Sequence, residues 1–373
     1  MDTVAAQGFV RLIRRIVGLR AYIAFVLAIV CAASCDDGTE ALQVGQFANF
    51  ATEDPAVALC EGAPARLDRH VRRVHEFIGE PIAESLQVQI RVVAESICPK
   101  SACYSPADQT IYVESLDPES YVPSGRLEHE LTHALIDRAW GQSIPSLTEG
   151  LAESLTSSRW YSIPRPGTPV RAMLDRPAGE LDYAELGYFV RFLIEDYGVE
   201  RFKSVYIAAQ SRSLGEIEAH FRKVYGEDFG AIEGRYLSGA NRCRYQLDIC
   251  DLLGAESVGA SWSESFAASC LDPDFYGSRA GGNSWFATQR TLRIDTAGLY
   301  RFSAPLPLAL GPDGSPSNSR AVLVRCGDCN EQQIRDVRGT SEFALPEGIY
   351  TLLLQPARDS LISLRIDYLG GEP

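Results

Sequence analysis

Positive charge is scarce in this chain: Lys and Arg total 35 against 49 Asp and Glu, for a formal net charge of −14 at pH 7. An acidic protein repels a phosphate backbone, so nucleic acid is excluded as an expected partner. Only three basic residues are Lys (Lys100, Lys203, Lys223), an imbalance that reads as genome composition rather than design. No run reaches the roughly 20 apolar residues that a bilayer-spanning helix needs; the apolar run over 21–34 is fourteen residues long, Ser34 included. Internal repeats and long low-complexity tracts are missing too. What is present, 46% apolar and 23% charged residues over 373 positions, is the composition of a globular protein long enough for two domains.

The N-terminus reads as an export signal. Arg11, Arg14, Arg15 and Arg20 precede the short apolar run, and small residues follow it. Ala32-Ala33-Ser34-Cys35 resembles a bacterial lipobox, which implies a lipid on Cys35, a membrane tether and a cell-envelope location; a plain secretory signal cut nearby is the alternative. Residues 1–34 hold four Arg and one Asp, so the chain from residue 35 onward carries −17. Beyond Cys35 stand eight Cys: Cys60, Cys98, Cys103, Cys243, Cys250, Cys270, Cys326 and Cys329. An even number in an exported chain implies four disulfides. Proximity in sequence predicts Cys98–Cys103, Cys243–Cys250 and Cys326–Cys329, leaving Cys60 to pair with Cys270. Cys326-Gly-Asp-Cys329 lacks the second CxxC of a zinc site, so a structural disulfide is the expectation there.

The spacing of apolar residues divides the chain near residue 245 and predicts an α+β fold. Residues 35–57 read as a tether. A first domain, 58–245, opens with a helix over 62–79 and strands over 88–94 and 110–113, and continues with helices near 125–140, 146–158, 182–197 and 199–225, the last broken near Ser211. Residues 257–373 change texture. Short alternating runs broken by Gly, Pro, Asp and Ser predict an antiparallel β-sandwich.

One motif carries chemistry. His129-Glu130-Leu131-Thr132-His133 places two imidazoles at i and i+4, on one helix face, where both reach one Zn²⁺. Leu127, Leu131 and Leu135 form the core-facing stripe. Glu130 sits beside the metal, placed to take a proton from the attacking water. Chance produces such a match on the order of 0.005 times in a chain with this few His. Glu149, opening a second helix after Pro145, is the expected third metal ligand. Glu153, one turn later, either orients a ligand imidazole or is a solvated carboxylate. His70 and His75 lie about 140° apart around a helix and, with His220, read as structural.

HELTH followed by Leu147-Thr-Glu-Gly-Leu-Ala152 resembles the gluzincin zinc metallopeptidases. The fifteen residues between His133 and Glu149 are similar to the compact, peptidase MA-like bacterial type. The resemblance spans about 58–240, including Tyr183 to Gly198 and Leu214 to Gly226. It implies a peptide or protein substrate, His129, His133 and Glu149 as zinc ligands, and Glu130 as general base. It further implies an oxyanion donor, for which Tyr183 is the candidate and Tyr188 the reserve, and a peptide-binding edge strand around Ile111-Tyr112-Val113. No Gly-x-Met-Glu-Asn exopeptidase motif is present. Thr296-Ala-Gly-Leu-Tyr-Arg-Phe302 and Phe343-Ala-Leu-Pro-Glu-Gly-Ile-Tyr350 resemble strand pairs of pre-peptidase C-terminal domains. The expectation is an exported, membrane-tethered zinc metallopeptidase; the alternative is a lipoprotein that keeps the fold as a binding module.

Overall fold

A computed structural model describes residues 40–371 apart from short segments, of which 115–124, 157–164 and 278–285 are the longest. The expected signal and Cys35 lie outside the described residues. The described residues form a mixed α and β fold, with seven α-helices and several sheets. No helix among the described residues is long and apolar enough to cross a membrane.

The first half is built on a five-stranded sheet of β1 (Glu40–Val44), β2 (Ala48–Thr52), β3 (Val88–Val93), β4 (Ala102–Ser105) and β5 (Thr110–Glu114), in the order β1-β2-β3-β5-β4. Thus residues 40–52, read from sequence as part of a tether, form a hairpin whose second strand pairs parallel with β3. Val88, Ile90 and Val92 alternate into the core while Gln89 is exposed and Arg91 partly so, the mark of a sheet covered on one face. β3 and β5 run parallel; β4 reverses and closes the edge.

Helix α1 (Ala63–Ile78) buries Leu67, Val71, Val74 and Ile78, and α2 (Arg126–Trp140) packs on α1 and on β4 and β5. Helix α3 (Pro145–Leu155) starts with Pro at its first turn, where the missing N–H costs nothing. Helix α4 (Tyr183–Tyr197) is capped by the Asp182 carboxylate, which accepts from Glu185 N at 3.0 Å. α3 and α4 approach closely because Gly150 and Gly187 lie at the crossing; a Cβ on Gly187 would stand 3.0 Å from Cγ of Glu153. The helical stretch after residue 199 breaks where expected, into α5 (Val199–Ala208) and α6 (Leu214–Tyr225), and α7 (Phe229–Ser238) follows.

The second half is a β-sandwich. Its strands are β6 (Glu256–Ser257), β7 (Ser261–Ala267), β8 (Tyr276–Gly277), β9 (Phe286–Ile294), β10 (Gly298–Ala304), β11 (Ala309–Leu310), β12 (Pro316–Ser317), β13 (Arg320–Arg325), β14 (Ile334–Val337), β15 (Gly339–Leu345), β16 (Gly348–Gln355) and β17 (Leu361–Gly370). The two main sheets run β15-β10-β17-β7 and β14-β13-β16-β9-β6; β8 pairs with β9, and β11 and β12 pair with each other. Tyr300, Phe302, Leu352 and Ile366 fill the space between them.

Three covalent bridges join the halves. Cys60–Cys270 and Cys98–Cys103 pair as the sequence predicts. Cys243 and Cys250 do not pair with each other, nor do Cys326 and Cys329: the bonds are Cys243–Cys329 and Cys250–Cys326. The connecting segment lies across the sandwich, with Ile249 seated on Val322, Val324 and Leu353, so each of its Cys meets one beyond β13 at Cα separations of 5.3 and 5.7 Å. Nearness in space, set by packing, overrides nearness in sequence. Four disulfides indicate an oxidising, non-cytoplasmic environment.

Candidate metal centre

Helix α2 presents two faces. Leu127, Leu131 and Leu135 are buried, and beside them Glu128, Thr132 and His70 form a buried polar cluster: Arg66 donates to Glu128 at 2.6 Å, and His70 Nε2 lies 2.9 Å from Thr132 Oγ1. Burial holds the His70 imidazole down at about 4, so it is a neutral structural histidine. The opposite face turns His129, Glu130 and His133 into a cleft of about 990 Å³.

In that cleft the three expected ligands meet. Glu149 Oε2 lies 3.1 Å from Nε2 of His129 and 3.1 Å from Nε2 of His133, and the two nitrogens are 3.0 Å apart. This His-His-Glu group could hold a metal ion. The donor set fits a tetrahedral zinc-type site: ligand atoms about 2.0–2.1 Å from such an ion stand about 3.3 Å from one another. The side chains are 12%, 11% and 17% exposed, so the cluster is sheltered yet open on the cleft side. Burial works against the His129 cation, but hydrogen bonds to Glu149 and Glu153 outweigh it and hold His129 up at about 10. The same two histidines overcome burial to keep the Glu149 carboxyl well below its ordinary range.

Glu153 is not a solvated carboxylate. It is buried, with Oε2 3.1 Å from Nδ1 of His129 and Oε1 2.8 Å from Nη2 of Arg244. A carboxylate on Nδ1 places the proton there and leaves Nε2 free to coordinate. Glu130 lines the cleft and accepts from the backbone N–H of Tyr104 at 2.8 Å. Tyr183 also lines it, its ring 6.2 Å from that of His129; burial, then the carboxylates of Glu149, Glu130 and Glu153, push its hydroxyl above the usual phenol range, so it keeps its proton. Tyr188, the reserve candidate, is buried at 4% and does not line the cleft.

The expected edge strand requires correction. Ile111-Tyr112-Val113 belongs to β5, which is paired on both sides by β3 and β4; among the described residues the outer strand on that side is β4. Ser101 to Tyr104 lie along the cleft. Only four residues long, β4 gave too short an alternation to recognise. Arg244 had no sequence signal beyond its neighbour Cys243. Asp137, which accepts from the Tyr104 hydroxyl at 3.0 Å, was visible as the next i+4 step after His129 and His133.

No family profile and no curated protein sequence matches the chain. Among solved structures it is loosely similar to the pre-peptidase C-terminal domain of a collagenase from Bacillus anthracis (11% identity, TM-score 0.20, covering 32% of this chain and 97% of that one). It is as loosely similar to the lysozyme inhibitor PliG of Aeromonas hydrophila (15%, 0.17, 30% and 96%) and to the 4-O-methyl-α-glucuronidase BtGH115A (10%, 0.18, 65% and 42%). Likenesses this distant carry no argument about the metal centre.

Proposed function

We propose that the chain is an exported zinc metallopeptidase of gluzincin type, tethered to the bacterial membrane through a lipid on Cys35. The observation that carries this reading is the convergence of His129, His133 and Glu149 within 3.0–3.1 Å on the floor of a cleft, with Glu130 beside them. A bound zinc ion supplies Lewis-acid activation of water and of the scissile carbonyl. The protein supplies the rest. Glu130, oriented by the Tyr104 amide, takes the proton of the attacking water and returns it to the leaving amine. The Tyr183 hydroxyl, held protonated, donates to the oxygen that gains charge in the transition state. The peptide adds as an extended strand to the outer edge of β4. A binding module has no use for a carboxylate poised next to its ligands, so Glu130 weighs against that alternative.

The test is metal content by mass spectrometry, with peptide-library cleavage, on wild type, His133→Ala and Glu130→Gln. One equivalent of zinc in wild type and Glu130→Gln but not in His133→Ala is expected. Cleavage by wild type should fall by about 10²–10⁴-fold in Glu130→Gln. A wild type that purifies without metal and takes up none when zinc is added would sink the enzyme reading; a zinc protein that cleaves no peptide would favour the binding module.

A further inference from the structure

The buried carboxylate of Glu153 needs a counter-charge that its histidine partner cannot give. As a ligand, His129 is neutral and offers one N–H from Nδ1. The counter-charge comes from Arg244, whose guanidinium is 6% exposed against 4% for Glu153 and lies 2.8 Å from the carboxylate oxygen turned away from His129. Arg244 is not part of the helical core that carries the ligands. It belongs to the segment that leads into the β-sandwich, and it follows Cys243, which is bonded to Cys329.

That segment is held from both sides. On one side, Tyr245 N donates to Ser154 O at 2.7 Å and Leu247 N donates to Leu155 O at 2.8 Å, so its backbone satisfies carbonyls at the C-terminal end of α3, the helix of Glu149 and Glu153. Arg191 of α4 reaches Cys243 Sγ at 2.9 Å and also donates to Arg244 O. On the other side, Cys243–Cys329 and Cys250–Cys326 fasten the segment to the sandwich. A chain of contacts therefore runs from the sandwich through Cys243 and Arg244 to Glu153 and His129.

We propose that Arg244 is a positioning residue for the metal centre, and that the β-sandwich, through the Cys243–Cys329 bond, holds it in place. The inference rests on the metallopeptidase reading for its metal and gives the sandwich a role at that site. Arg244 acts through Glu153: it holds one carboxylate oxygen at 2.8 Å, so that the other faces Nδ1 of His129 and orients the ring.

The test is zinc titration against a chromogenic chelator on the full-length chain, in wild type, Arg244→Gln, Arg244→Lys, Glu153→Gln and the double variant Arg244→Gln/Glu153→Gln, each first checked by circular dichroism. Arg244→Gln and Glu153→Gln are each expected to weaken zinc binding about 10–100-fold. Arg244→Lys should recover most of the loss, and the double variant should bind as Glu153→Gln does, because the two residues act in series. The double variant leaves no unpaired buried charge, so the comparison stays readable even where Arg244→Gln alone does not fold. Wild-type affinity in Arg244→Gln, or a further tenfold loss in the double variant beyond Glu153→Gln, overturns the positioning role. Cys243→Ser/Cys329→Ser is expected to lose affinity as Arg244→Gln does; unchanged affinity there overturns the part given to the sandwich. A wild type that binds no zinc sinks the metallopeptidase reading and this inference with it. One that binds zinc without cleaving peptides sinks only the peptidase.

Discussion

The backbone N–H of Tyr104 donates to the Glu130 carboxylate at 2.8 Å, tying the edge strand of the sheet to the acid–base residue of the cleft. Glu114 N donates to Ser101 O, so residues 101, 103 and 105 face β5 while 102 and 104 face outward. The outward N–H of Tyr104 is thus committed to Glu130, and the outward groups left for a peptide are those of Ala102 and the carbonyl of Tyr104.

Ala102→Pro removes one of these donors at an edge position that the sheet does not use. The proposed β-addition then predicts a KM for peptides raised about 2–10-fold, the worth of one hydrogen bond, with zinc content and kcat little changed. Steady-state kinetics on a cleaved peptide check it; an unchanged KM would remove β4 from substrate binding.

Gly187→Ala should destabilise the fold although Ala is the better helix former. The added methyl would meet Glu153 Cγ at 3.0 Å and its backbone carbon at 3.1 Å. Overpacking costs about 1–3 kcal/mol, more than the roughly 1 kcal/mol gained in helix propensity. Urea unfolding gives the sign directly, and zinc affinity should drop as Glu153 is displaced.

His70 should make the protein sensitive to acid. Burial lowers its pKa from 6.5 to about 4, so between those values the unfolded chain takes up a proton that the folded one refuses. Stability from this group is complete above pH 6.5 and falls by about 3 kcal/mol as pH drops to 4. Asp248 works in the opposite sense, because burial and then the Glu128 charge push its carboxyl up to about 7. The measurement is therefore the difference between wild type and His70→Gln, which should narrow as pH falls from 7 to 4.

Cys60–Cys270 closes a sequence separation of 210 residues and secures the contact in which Gly62 N donates to Phe275 O at 2.9 Å. Cys60→Ser/Cys270→Ser is expected to cost about 2–5 kcal/mol. Thermal unfolding under non-reducing conditions should show a lower Tm for the variant. Equal Tm values would mean that the remaining interdomain contacts suffice.

Much of this protein could be read from its sequence because the signals are local. The i, i+4 spacing of His129 and His133 needs only helical geometry, and Leu127, Leu131 and Leu135 already say which face is turned inward. The strands at 88–93 and 110–114 follow from period-two alternation, and the textural change after residue 257 from short alternating runs between turn residues. Glu149 stood out because it opens the next helix at a distance from His133 that a compact turn can span.

What remained required distances between parts of the chain that the sequence holds far apart. Glu153 reads equally well as solvated or buried until α4 closes over it at Gly187 and Arg244 arrives from the segment leading into the sandwich. β5 became an inner strand only because the short β4 pairs beside it, and Cys243 and Cys250 turned to Cys329 and Cys326 because Ile249 packs on the sandwich. Local spacing determines which side chains share a helix face. Long-range packing decides which charges are buried together, which strand lies outermost and which thiols come within bonding distance, and those are the contacts that make a pair of histidines into a site.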